Sequence, residues 1–299
     1  MQRFCTGLAL YFSAFLALFV NPFYLVCILL QLMGQIYLSA RSMLLGYKNP
    51  LVWSILNLPF EGRWKVVSGG VSRSLSHSWS LLSQRYAYDF IMVDDLEESL
   101  IKDAKHHPAW GRSLYAPVCG VVVRVKDGLR DNPAGGLFKQ FLTLRSFVGN
   151  HIVIRLESSP NFVLLAHLQQ KSCIHQVGDM VHVGDYIGRC GNSGLSTEPH
   201  LHLQVQDGEN FFFAKGLPIA FESTLVYRAH SLQKNQAKII ERGDFVEPVP
   251  GKADDEKRNL PEIIEPYPGA VFLVSLFSFS AVIFSVISFC MVIFQWIIH

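Results

Sequence analysis

The sequence predicts a mainly β protein: a compact antiparallel β-sheet domain flanked by N- and C-terminal transmembrane helices. Two long uncharged apolar runs occupy the ends. Short β-branched and aromatic runs, closed by Gly, Asn, Asp and Pro, fill the middle, where helical periodicity is sparse. Half of the 299 residues are hydrophobic and only 17% are charged. That balance is too apolar for an ordinary soluble enzyme, and the excess lies at the two ends.

Residues 1–44 form the first region. No charged residue stands between Arg3 and Arg41, whereas a span of about 30 Å of hydrocarbon needs roughly 20 helical residues. Asn21-Pro22 divides the run, which is either one long kinked helix or two short segments in a hairpin. The run is longer than a signal-peptide apolar core of about 7–15 residues.

Residues 45–227 form the β domain. "CGVVVRVKDG", "NHIVIRLESS", "NFVLLAHL", "DMVHVGDYIGRCG" and "HLHLQVQDG" each read as strand followed by turn. One helix is expected, Asp94 to His107, acidic at its start and basic at its end as the helix dipole favours. Residues 228–268, rich in Pro and in both charge signs, read as a loose linker. Residues 269–299 form the last region, where the uncharged run Ala270 to Ile298 predicts a transmembrane helix. Three of the six cysteines sit in the apolar ends and none forms a CxxC pair, so neither a disulfide framework nor a thiolate zinc knuckle is indicated.

The chemistry is concentrated in "GNSGLSTEPHLHLQV", Gly191 to Val205. Residues two apart on a strand share a face, so His200 and His202 project together while Leu201 and Leu203 face a core. A third histidine, His167, interrupts the apolar strand "FVLLAHLQQ", and Asp89 lies in the same domain. Such a set suits zinc-assisted hydrolysis: three N or O ligands hold the metal and a fourth position is left for water. Neighbouring histidines then serve as general base or oxyanion partner.

"QRYAYDF", "APVCGVVVRVKDG", "GNHIVIRL", "LLAHL", "VGDMVHVGDYIGRCGNSG" and "EPHLHLQV", in that order, resemble the lysostaphin/LytM-type zinc metallopeptidases, which cleave peptide bonds of bacterial peptidoglycan. The resemblance covers roughly Val66 to Phe221. It implies that Asp89 and His202 bind one zinc ion per chain and that His167 and His200 are catalytic non-ligands, with His200 the general base and His167 the oxyanion partner. The chain departs from the family's His-x-x-x-Asp pattern, because Arg85 stands at the first position and cannot ligate a metal. Either His77, twelve residues before Asp89, supplies the missing ligand, or zinc is lost and the domain is a noncatalytic module that binds cell-wall peptide or regulates another hydrolase or assembly.

On the first reading the metal ligands are His77, Asp89 and His202, and the protein is a membrane zinc metalloendopeptidase. Its expected partners are peptidoglycan peptide and the lipid bilayer, not nucleic acid. It is expected to be integral to the cytoplasmic (inner) membrane with its β domain extracytoplasmic. The strands also resemble halves of a biotinyl/lipoyl carrier, but the Met-Lys turn such a carrier modifies does not occur.

Overall fold

The computed structural model describes residues 18–45, 53–92, 104–132, 140, 144–228, 231–233 and 239–249. The C-terminal run Ala270 to Ile298 lies outside these residues, as does most of the helix expected over Asp94 to His107; its last residues, Ala104–His106, form a single 3-10 turn.

Among the described residues one long helix, α1 (Pro22–Leu45), precedes fifteen strands. These are β1 (Ser54–Leu56), β2 (Trp64–Ser68), β3 (Tyr88–Met92), β4 (Ser113–Tyr115), β5 (Gly120–Lys126), β6 (Asn150–Leu156), β7 (Phe162–Leu168) and β8 (Met180–Val181). There follow β9 (Tyr186–Arg189), β10 (Leu201–Gln206), β11 (Gly216–Leu217), β12 (Ile219–Phe221), β13 (Thr224–Arg228), β14 (Ser231–Gln233) and β15 (Phe245–Pro248). The main sheet runs β14-β13-β15-β2-β3-β10-β7-β6-β5-β8, with β11 also on β10. Its pairings are antiparallel; β4 with β9 and β1 with β12 form two small accessory sheets, the latter parallel.

Alternation along the central strands separates a core face from a site face. Leu201, Leu203 and Val205 of β10 pack with Val163 and Leu165 of β7 and with Phe90 of β3, all buried. Each such side chain contributes roughly 1.5–3 kcal/mol on leaving water. The intervening positions, Asp89 on β3, Ala166 on β7 and His202, Gln204 and Gln206 on β10, face the other side. The "DMVHVGDYIGRCG" segment, read as one strand, is two, β8 and β9, with a turn at Gly184 (φ +89°) between them.

The linker expected over 228–268 is corrected as far as Pro248. Strands β14 and β15 extend the main sheet there, β15 pairing with both β13 and β2. Ile240 and Val246 join the core, and Arg228 grips Asp244 with two hydrogen bonds of 2.8 and 2.6 Å. The charge in this segment therefore belongs partly to an internal bidentate pair, a pattern composition does not distinguish from a solvated linker.

Asn21-Pro22 is a helix start. Asn21 Oδ1 accepts the N–H groups of Phe23 (3.0 Å) and Tyr24 (3.3 Å), capping α1, and Pro22 occupies the first helical position, where its missing N–H costs nothing. By length and composition α1 could cross a membrane. A stripe of Tyr24, Cys27, Gln31, Gly34, Gln35, Leu38, Ser39 and Ser42 packs inward, whereas Phe23, Val26, Met33 and Tyr37 are exposed. The helix touches the domain from Asn21, which donates to Leu144 O (2.9 Å), to Arg41, which pairs with Asp207 (2.8 Å).

Candidate active site

β3 and β10 place Asp89 and His202 directly opposite each other, where cross-strand side chains meet. His202 Nδ1 lies 2.8 Å from Asp89 Oδ1. A register shift in β2 brings Ser68 opposite Asp89 as well, and Ser68 Oγ holds the His77 ring, 2.7 Å from Nδ1. His77 Nδ1 is then 3.4 Å from Asp89 Oδ2, and His200 Nε2 is 3.8 Å from Asp89 Oδ1. One buried carboxylate thus has three imidazoles around it.

His167 arrives by a different route. Plain alternation would turn it into the core with Val163 and Leu165. Its φ of +60°, rare for a residue with a side chain, breaks the alternation, so that Ala166 and His167 both line the cleft and Leu168 returns to the core. The "GNSG" turn holds this conformation. Ser193 O accepts the His167 Nδ1–H at 2.7 Å, while Ser193 Oγ donates to Leu168 O (2.7 Å) and accepts from Asn150 N (2.9 Å). Gly194 (φ +82°) and Gly149 (φ +70°) approach so closely that a Cβ on Gly194 would stand 2.4 Å from Gly149 N.

These contacts fix the histidine tautomers. A carbonyl can only accept, so His167 gives its Nδ1–H to Ser193 O, and His200 gives its Nδ1–H to Glu198 O at 2.8 Å. The neutral rings therefore present bare Nε2 atoms, and they lie 4.7 Å apart between centroids. Burial, with the neighbouring His200 and His202, holds the His167 pKa well below the usual imidazole value.

His202 is set the opposite way by its own strand. Gln206 Nε2 donates to Gly208 O (2.7 Å), so its Oε1 receives Gln204 Nε2 (2.6 Å), which also reaches Ser83 O (3.3 Å). Gln204 Oε1 is left to accept His202 Nε2–H at 3.0 Å. His202 Nδ1, bare in the neutral ring, then faces the Asp89 carboxylate. That contact requires either a second proton on the ring or a cation between the two groups. Burial raises the Asp89 pKa, but the hydrogen bond and positive charge of His202 outweigh it and hold Asp89 well below the usual carboxylate range. Burial lowers His202, and the same pairing raises it above its ordinary value.

The donor set Asp89, His202 and His77, one carboxylate and two imidazoles with an outer hydrogen-bonded shell, fits zinc in kind. In the arrangement present, Asp89 and His202 close on each other, and among the described residues no group of three or more His, Cys, Asp or Glu side chains is set to hold a metal ion. Arg85 is buried away from solvent. Its Nε donates to Trp79 O (2.9 Å) and its guanidinium lies 5.2 Å from the Trp79 ring centre, so it braces the loop that carries His77. His151 donates Nδ1–H to Gly149 O (2.9 Å), and His182 is exposed. Ser68, Ser193, Gln204 and Gln206 were not singled out from the sequence, although the period of "HLHLQVQ" already places both glutamines on the His202 face.

The sheet face thus gathers histidines about one carboxylate, and the same residues line one cleft. Residues 106–213 match the model of peptidase family M23; the match includes His167, His200 and His202 and begins after Asp89. An uncharacterized metalloprotease of Buchnera aphidicola subsp. Baizongia pistaciae is 29% identical over 101 residues, 34% of this chain and 24% of its own length. The chain thus spans about a quarter of that relative. Among solved structures, a zinc-containing peptidase from Vibrio cholerae is 18% identical, with 56% of this chain and 39% of that one covered (TM-score 0.33). The catalytic domain of lysostaphin from Staphylococcus simulans is 19% identical, with 52% and 88% covered (TM-score 0.30). A putative glycyl-glycine endopeptidase LytM from Ruminococcus gnavus is 17% identical, with 57% and 59% covered (TM-score 0.33).

Proposed function

We propose that the protein is a membrane-anchored zinc metalloendopeptidase that hydrolyses peptide bonds of peptidoglycan. The observation that carries this reading is the opposed tautomer setting: His202 turns a bare Nδ1 to Asp89 while His167 and His200 turn bare Nε2 atoms to the same cleft. Zinc held by His77, Asp89 and His202 would supply Lewis acidity toward a water and the scissile carbonyl.

The chain's own residues do the rest. His167 has its only proton tied to Ser193 O, so it has none at Nε2 to offer an oxyanion. We therefore assign it as the acceptor of the attacking water's proton, the reverse of the role the resemblance suggests. His200 is set the same way, its Nδ1–H on Glu198 O, so its Nε2, 3.8 Å from Asp89, is likewise an acceptor, and it hands a proton to the leaving amine only after taking one up there itself. Glu198 O and Ser196 Oγ (3.1 Å) keep its ring from turning.

The exposed apolar row of α1 supports attachment to a bilayer, and a peptidoglycan substrate places the domain on the extracytoplasmic side of the cytoplasmic membrane. A second reading, a zinc-free module that binds cell-wall peptide, is favoured by the direct 2.8 Å Asp89–His202 contact. Metal content and cleavage separate the two. Full-length protein purified in detergent without chelators is expected to carry about one zinc per chain and to release new amino termini from purified sacculi, both lost in His202→Ala. Metal-free wild type that leaves sacculi intact establishes the zinc-free module instead.

A further inference from the structure

The cleft is not made by the β domain alone. Tyr24, Ile28 and Gln31 of α1 line the same cavity, about 690 Å3, as Asp89 and the histidines. The helix is held there by amide chemistry. Gln35 Nε2 donates to Ser80 O and Gln35 Oε1 accepts Leu82 N–H, each at 3.0 Å, so one side chain clasps the loop that carries His77. One turn earlier, Gln31 Oε1 accepts Gln84 Nε2 at 3.4 Å. Gly34 lets the helix close on the domain, since a Cβ there would stand 2.0 Å from Phe212 O.

Gln31 is left with a donor to place. The residue is only 9% exposed, its Oε1 is turned toward Gln84, and its buried Nε2 has no hydrogen-bond partner among the described residues. A buried donor without an acceptor is costly, and an apolar helix that served only as a tether has no use for an amide at this position. A bound peptide presents the matching group, a backbone carbonyl. Tyr24 and Ile28 beside it, with Phe147 and Phe211 from the domain, form an apolar surface for the peptide's side chains.

We propose that α1 is part of the substrate-binding site, with Gln31 Nε2 donating to a backbone carbonyl of an extended peptide seated between α1 and the histidines. The inference rests on the peptidase reading for the identity of the peptide. It makes the helix a working wall of the cleft, so that an apolar segment at the membrane and the reacting groups belong to one site.

The test uses the full chain in detergent micelles with fluorescein-labelled pentaglycine and pentaalanine as probes, binding read by anisotropy and hydrolysis read separately. Gln31→Leu is expected to weaken binding of both peptides on the order of tenfold, and Gln31→Glu, which keeps the acceptor but loses the donor, to do the same. Hydrogen exchange at the Leu82 amide, whose acceptor is Gln35, reports whether the helix stays docked in each variant; Gly34→Leu is the undocked control, expected to lose both that protection and peptide binding. If wild type binds and hydrolyses nothing while Gln31→Leu weakens binding, the peptidase reading falls and the subsite stands. If Gln31→Leu binds both peptides as wild type does with Leu82 still protected, or if wild type binds neither peptide at millimolar concentration, the proposal is overturned.

Discussion

His202 donates its Nε2–H to Gln204 Oε1 at 3.0 Å, and this one bond decides which nitrogen of the ring faces Asp89. The Gln206 to Gln204 chain behind it, ending on Gly208 O, leaves the amide no alternative orientation that keeps its hydrogen bonds. Outer partners of this kind orient a ligating imidazole and typically affect metal affinity by roughly 10–100-fold. Gln204→Leu is therefore expected to weaken zinc binding by that factor, whereas Gln204→Glu, which keeps an acceptor toward His202, retains most of it. Isothermal titration of metal-stripped protein measures both. Equal affinities in wild type and Gln204→Leu would show that the chain only supports the strand.

His77 stands in the position that decides between enzyme and module. Ser68 holds its ring 3.4 Å from Asp89 although the side chain is 65% exposed. If it is the third ligand, His77→Ala weakens zinc binding by more than the roughly 10–100-fold of an outer-shell change, and Ser68→Ala has a smaller effect in the same direction. Arg85→Ala leaves affinity closer to wild type, since Arg85 points to Trp79. Unchanged zinc affinity in His77→Ala removes the histidine from the ligand set.

The strands that carry the site were legible because their pattern is local. Period-two alternation in "HLHLQVQ" gives β10 with Leu201 and Leu203 on the core side, and the apolar runs around "LLAHL" and after "GN" give β7 and β6 as strands. What stayed hidden depends on contacts distant in sequence. The φ of +60° at His167 is imposed by a turn 26 residues later, and Ser68 meets Asp89 only through a shifted register. β15 reads as linker because its own composition is Pro-rich and charged, although it pairs with β13 nearby and with β2 nearly the whole domain away. Apolarity gave the existence of α1, and its helical stripe of Gln, Gly and Ser could have signalled that it packs on protein, but not on which loop.

The Gly194–Gly149 contact supports the strained His167. Gly194→Ala places a side chain at φ +82° and 2.4 Å from Gly149 N, so it is expected to cost roughly 1–3 kcal/mol and to lower the melting temperature by several degrees. Because Ser193 carries the carbonyl that orients His167, turnover falls more than zinc affinity does. A thermal melt within about 1 °C of wild type, with unaltered kcat, means that this turn does not set the ring.

His151 gives the domain an acid-sensitive element outside the proposed ligand set. Burial lowers its pKa to about 4, against the hydrogen bond it donates to Gly149 O. The unfolded chain takes up a proton near the ordinary histidine value of about 6.5, so between these values it binds more protons than the folded protein. Stability is therefore complete above about pH 6.5 and falls as the pH drops toward 4, with a limiting slope of about 1.4 kcal/mol per pH unit from this one group. Partial exposure of the ring keeps the observed slope below that limit. His151→Gln is expected to flatten this part of the curve relative to wild type when urea midpoints are measured from pH 4 to pH 7. Parallel curves for the two proteins would mean that the acid sensitivity of the domain arises from other groups.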